Sequence, residues 1–416
     1  MVARTESRIH RSSAATAMVQ QSIAGRYNSP CEGRGALKIV FASHTAMASA
    51  FVVGSHHLAR ALAERGHIVA HISTPVSAAH LFLKSFEARV RVSIWKSGGV
   101  WHSPSLYELV PMSILPWKLA RYLPFGMARS RLALGRVLMM LGRSGFDEID
   151  VLLVDQPKMV GIEDMLQPRR LVYRATDLYQ EMNGGQHMLA AEREIARKAQ
   201  LLIGTSGPVT QHLHQDNPAK RYMLLENGVE FGVFASRTTP PSEYSSIPAP
   251  RLVYAGALDE RFDFELIEFV ARALPGVNIV LIGPIQGVHT QLRTAPNVHL
   301  LGARPYHAIP SYYQHAQVGL LPFSSHAANA GRSPMKLYEY GAARLPVVAV
   351  SSAELVRRAL PFVILAKDAH EFLRAVQDML ADRGRRALLG DQALKLAEAM
   401  SWSSIADRLL NELENV

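Results

Sequence analysis

Apolar runs of four to six residues, too short for helices and each leading into a helix-period segment, recur between Leu37 and Val350. That rhythm restricts the chain to an α/β architecture. Leu37-Lys-Ile-Val-Phe-Ala-Ser-His44 reads as a buried strand. Residues 53–65 carry helical spacing, Gly66 stops them, and 67–72 form the next strand. Strand, helix and strand in that order make a βαβ unit and hence a parallel sheet. Further strands are predicted at 90–95, 150–154, 171–174 and 201–205, with an amphipathic helix at 188–198. Residues 236–250, rich in Pro, Ser and Thr, follow neither period and read as a linker. A second series then begins. Its strands are predicted at 251–256, 278–282, 299–301, 318–321 and 347–350, and its helices at 264–273, 306–315 and 334–343. An amphipathic helix at 402–413 ends it.

At 416 residues the chain has room for two such domains, each with its own core. The expected division is a mobile tail at 1–35, an acceptor-binding Rossmann-like domain at 36–235, a linker at 236–249, a nucleotide-sugar domain at 250–398, and a last helix at 399–416 that can cross back to the first domain. The ligand's natural place is the cleft where the carboxyl ends of both sheets meet. A single cysteine, Cys31, excludes an internal disulfide and suits a reducing compartment. No apolar stretch is long enough to span a bilayer, and the start lacks a compact apolar core, so a cytoplasmic location is expected.

The net charge of +10 calls for an anionic partner. Residues 109–146 hold no acid between Leu109 and Phe146, while Lys118, Arg121, Arg129, Arg131, Arg136 and Arg143 alternate with large apolar residues. Such a segment can lie on an anionic membrane surface, placing the protein on the inner face of the cytoplasmic membrane, or it can pack with a solvated basic face. Zinc-finger spacing and RNA-binding aromatics are missing, so nucleic acid is not expected as a partner.

The most specific segment runs Gly319-Leu-Leu-Pro-Phe323, a loop, then Gly331-Arg-Ser-Pro-Met-Lys-Leu-Tyr-Glu-Tyr340. A strand ends in proline, and a helix is expected to start near Pro334, where its free N–H groups suit an anion. Lys336 adds a full charge for a diphosphate. Glu339, on about the same face, can accept from the two ribose hydroxyls. Gly256, Ala257 and Leu258 open the second domain's first turn, where backbone approaches the nucleotide closely. Asp177, at a strand's carboxyl end, is a candidate catalytic base, and Arg174 a candidate substrate ligand.

The segment around Lys336 resembles the nucleotide-binding signature of GT-B glycosyltransferases. The chain is similar to the bacterial exopolysaccharide branch typified by the xanthan-type (GumK-like) glucuronosyltransferase family. The likeness is clearest at Leu171-Val-Tyr-Arg-Ala-Thr-Asp177, Ala255-Gly-Ala-Leu258 and Ser333-Pro-Met-Lys-Leu-Tyr-Glu-Tyr340. It implies the GT-B fold, two Rossmann-like domains with parallel sheets facing across a cleft. The implied activity is sugar transfer from a nucleotide donor, UDP-linked in the resemblance, to a lipid-linked or polysaccharide acceptor. It also implies Asp177 as base and a donor site at Gly256, Ala257, Leu258, Phe323, Ser333, Met335, Lys336 and Glu339. Arg174, Glu192, Arg304 and Arg332 are implied as further substrate ligands. GT-B enzymes generally need no metal cofactor, and neither an Asp-any-Asp motif nor a cysteine pair occurs here. The chain departs from the branch at Gly302-Ala303-Arg304 and at Glu339, where the family carries glutamine. Two outcomes therefore stay open: inverting transfer, with glucuronic acid as one donor, and retaining transfer of a hexose. A nucleotide-sugar epimerase and a non-catalytic membrane-binding module are the remaining alternatives.

Overall fold

In the computed structural model, residues 35–49, 52–83, 85–113, 136–182, 186–285 and 295–415 are described. The apolar runs become strands because both faces of each sheet are covered, so both side-chain sets of a run can be buried. The first sheet has eight strands in the order β10-β9-β8-β7-β1-β2-β5-β4. They are β1 (Lys38–Ala42), β2 (Ile68–Ile72), β4 (Val100–Ser103), β5 (Leu106–Leu109), β7 (Val151–Val154), β8 (Arg170–Ala175), β9 (Leu201–Gly204) and β10 (Arg221–Leu224). All pair in parallel except β4, which runs antiparallel to β5. The short β3 (Val76–Ser77) and β6 (Met112–Ser113) form a separate parallel pair.

The second sheet is parallel throughout, in the order β13-β12-β11-β14-β15-β16. Its strands are β11 (Arg251–Ala255), β12 (Asn278–Ile282), β13 (Val298–Gly302), β14 (Val318–Leu321), β15 (Val347–Val350) and β16 (Val363–Ala366). Strand order reverses between β1 and β7 in the first sheet and between β11 and β14 in the second. The crevices beyond those carboxyl ends are where such folds hold ligands.

One expectation is corrected. Residues 90–95 lie inside helix Phe86–Ser97, not in a strand. The alternation of Val90-Arg-Val92 mimics a strand, but the ends decide. Ser85 caps the helix by accepting from Ala88 N, and Gly98 closes it at φ 81°. The linker is also more ordered than its composition suggests. Tyr244 and Ile247 are buried, and the Tyr244 hydroxyl donates to the Tyr312 carbonyl at 3.0 Å.

Helix Trp402–Leu413 packs against helix Gly54–Glu64 of the first domain. Trp402, Ile405, Leu409 and Leu413 join Leu58 and Leu62 in one core. The His57 ring stacks on Trp402 at 5.2 Å, so the chain's end is fastened beneath the cleft. Among the described residues no helix is long and apolar enough to cross a membrane.

Candidate active site

The second domain's wall is built from turns that only small residues allow. A side chain at Gly256 would meet Lys336 Cε and Nζ at 2.7 Å, so this glycine is what lets the ammonium lie against β11's end. Gly283 ends β12 at φ 145°, and its added Cβ would fall 1.8 Å from the Gly256 carbonyl oxygen. Leu258 is fully buried and its N–H donates to the Pro284 carbonyl at 3.0 Å, which fixes the turn containing Ala257. Lys336 Nζ stands 5.3 Å from the Tyr254 ring centroid. Phe323 is buried, and the Arg332 guanidinium lies 5.5 Å over its ring.

Arg261 donates from Nε to Asp259 at 3.0 Å and pairs with it again through Nη2. Arg332 and Lys336 have no such carboxylate partner within salt-bridge distance among the described residues. Burial first, then Arg332 and Arg261, push the Lys336 ammonium's pKa down. Glu339 is buried, and burial pushes its carboxyl up against the opposing pull of Lys336 and the nearby Tyr306 and Tyr313 hydroxyls.

The helix onset differs from expectation. The regular helix is Lys336–Ala342, seven residues, and it starts two residues after Pro334. Pro334 and Met335 belong to a tighter preceding turn, in which Leu337 N donates to the Pro334 carbonyl at 3.3 Å. The positive character of this wall therefore rests on Arg261, Arg332 and Lys336 side chains more than on a long helix dipole.

The first domain's wall carries Asp177, two residues beyond β8 and half-buried. Thr176 Oγ1 donates to its Oδ2 at 3.1 Å. Burial raises the Asp177 pKa, while Arg332, Arg261 and Arg174 oppose the rise. Arg332 and Arg261 thus act on both Asp177 and Lys336, and one charged cluster spans the two domains. The approach is close: a Cβ on Gly331 would lie 2.7 Å from Leu178 Cγ and 2.8 Å from Leu178 N.

Other candidates fall elsewhere. Arg174 is 1% exposed; its Nη2 donates to Asn227 Oδ1 at 2.7 Å, while Nε and Nη1 have no partner. It lies under the cleft beside Asp155, whose carboxyl is pushed up to about 6 by burial, and it does not open onto the cleft. Glu192 is buried in the first domain, accepting from Tyr173 at 2.7 Å and lying 3.1 Å from His212 Nε2. Arg304 is held by Glu243 at 3.0 Å and by the Tyr312 hydroxyl at 3.2 Å. Ser333 is buried and accepts from Asn227 N at 3.2 Å. Met335 packs into the first domain's core cluster.

Arg261, Asp259, Tyr306 and Asn227 were not singled out from sequence. Asp259-Glu-Arg261 follows Leu258 directly, so its place beside the Gly256–Leu258 turn was a usable signal. Tyr306 and Asn227 had none, since their neighbours, His57 and Glu339 for the one and Arg174 and Ser333 for the other, lie far off along the chain. Residues 114–135, the centre of the basic segment, lie outside the described residues. One carboxylate group close enough to hold a cation, Glu163, Asp164 and Glu194, encloses the Lys198 ammonium instead, at 2.6, 2.9 and 3.2 Å.

Comparison with known proteins supports the fold. Residues 249–382 match the family model described as glycosyl transferases group 1. TuaH of Bacillus subtilis, named for a glycosyltransferase role in teichuronic acid biosynthesis, is 23% identical over 264 residues, 58% of this chain and 66% of its own length. The alignment thus spans just under two thirds of that relative. Among solved structures, sucrose-phosphate synthase from Thermosynechococcus elongatus is similar with a TM-score of 0.70 at 17% identity, covering 91% of this chain and 98% of that one. Anabaena HepE in complex with UDP and glucose is similar with a TM-score of 0.65 at 15% identity, covering 91% and 100%. The chain thus has the GT-B fold, and its residues 249–382 match the glycosyl transferases group 1 model.

Proposed function

We propose that the protein transfers a sugar from a nucleoside diphosphate donor to a lipid-linked or polysaccharide acceptor, with Asp177 as the base of an inverting displacement. The observation that carries this is the cation cluster. Among the described residues Arg332 and Lys336 have no carboxylate within salt-bridge distance, and burial together with the neighbouring Arg332 and Arg261 holds the Lys336 pKa down. A diphosphate supplies an anion for them, and Glu339 takes the ribose. Asp177, on the opposite wall, accepts the acceptor hydroxyl's proton as the anomeric carbon is attacked. A uronic acid donor sets its carboxylate against Arg332. TuaH's name supports a polysaccharide acceptor.

A retaining transfer is the second reading. The guanidinium groups of Arg332, Arg261 and Arg174 support it: they offset part of the rise that burial gives the Asp177 pKa, and such neighbours also suit a carboxylate to a binding role. Calorimetry with UDP, GDP and their sugars, followed by NMR of the product's anomeric carbon, tests both. Inverted product supports the base role. Retained product assigns Asp177 to binding, and the absence of any nucleotide binding overturns the whole reading.

The acceptor is proposed to be met at an anionic membrane surface. Leu81, Phe82, Leu83 and Phe86 are exposed, Phe82 by 84%. Arg89 and Lys96 stand on the exposed face of the helix that follows. Vesicles containing phosphatidylglycerol should pellet the protein, and Phe82→Ser should weaken that binding. Equal binding by the variant removes the proposal.

A further inference from the structure

The loop 331–333, which carries Arg332, is fastened mainly from outside its own domain. Ser206 Oγ, at the cap of helix Gly207–Asp216 in the first domain, donates to the Gly331 carbonyl at 2.9 Å. Asn227 donates from its backbone N–H to Ser333 Oγ at 3.2 Å and from Nδ2 to the Ser333 carbonyl at 3.0 Å. Its Oδ1 accepts from the buried Arg174 at 2.7 Å, so one amide links the floor of the first domain to the donor loop.

Glu354, 1% exposed, completes the seam from helix Ala353–Arg358 of the second domain. Its Oε2 accepts from the Gly207 backbone N–H at 2.8 Å, the first residue of the first domain's helix. Its Oε1 accepts from Arg357 Nη2 at 2.8 Å and Arg358 Nε at 2.7 Å. Arg358 Nη2 then donates to Ser333 Oγ at 2.8 Å. A buried carboxylate at a helix N-terminus is held here by two guanidinium groups that also pair with Glu226 of the first domain, and this charge network makes a stiff joint.

We propose that Asn227 and Glu354 are positioning residues that lock the loop 331–333 to the first domain and so present Arg332 to Asp177. Glycine at 331 belongs to the same device, since only a residue without Cβ lets the loop rest on Leu178. This inference deepens the glycosyl-transfer reading and rests on it for its kinetic arm alone.

Asn227→Ala and Glu354→Gln are compared with the unaltered full chain by hydrogen–deuterium exchange at 207–210 and 327–337, by UDP affinity and by turnover. Exchange in both segments should quicken at least ten-fold. Turnover should fall at least ten-fold further than UDP affinity, because Lys336 and Glu339 remain on an intact domain. Gly331→Ala, which pushes the loop off Leu178, should reproduce the pattern and carries the test if Glu354→Gln does not fold. Unchanged exchange overturns the lock, and so does affinity falling in step with turnover, which would make these residues ligands. Should the unaltered protein transfer no sugar, the glycosyl-transfer reading fails while the exchange result still decides the lock.

Discussion

Asp177 in the first domain and Lys336 in the second share Arg332 and Arg261 as charged neighbours; burial raises the pKa of Asp177 against those arginines and lowers that of Lys336 together with them. For Lys336 the shift is downward, to about 8, so the free site begins to lose its ammonium as pH rises through that value. A bound diphosphate stabilises the charged form. Nucleotide affinity should therefore decline above pH 8, and binding near that pH should take up a proton, seen as a buffer-dependent heat in calorimetry. Asp177→Asn should lower turnover by about 10² to 10⁴, the usual contribution of a general base, with UDP affinity nearly unchanged. If turnover survives within a few-fold, Asp177 is a binding residue.

At the scale of elements, the site depends on how strands end. β11 and β12 run into Gly256 and Gly283; a side chain at Gly283 would strike the Gly256 carbonyl, and one at Gly256 would strike the Lys336 side chain. Gly283→Ala must move the Gly256 carbonyl and adopt a strained positive φ, so we expect a stability loss of about 2 kcal/mol or more together with weaker UDP binding. Urea unfolding and calorimetry on the same preparation check both. The strand pattern of this domain was legible in the chain: 264–273, 278–282, 318–321 and 347–350 agree with their elements to the residue. Residues 90–95 were not legible, because a period-two run of valines and arginines was overruled by a serine cap and a glycine stop.

The whole molecule adds titratable groups hidden from solvent. His56 and His71 are both completely buried, and burial holds His56 down to about 3 and His71 well below its usual value. Both are neutral when folded and can charge only on unfolding. The unfolded chain thus binds more protons below pH 6.5, so stability is full above that pH and falls as pH drops. The loss is up to about 1.4 kcal/mol per pH unit for each histidine. Guanidinium unfolding between pH 5 and 7.5 should show the slope, and His71→Leu should reduce it. A pH-independent midpoint would mean that these histidines are not neutralised by burial.

The amino-acid order by itself determined the βα alternation, the two-domain α/β frame and the Gly331–Tyr340 segment. Those are local properties: a side-chain period, a turn residue, a proline after a strand. What tertiary structure decided is which charges meet. Arg332 stands at Asp177, and Arg174 is sealed beneath the cleft by Asn227, because the C-terminal helix, Glu354 and the Gly331 contact set one domain against the other. Residues separated by 100 positions or more become neighbours only once both cores have formed, and no local pattern encodes that distance.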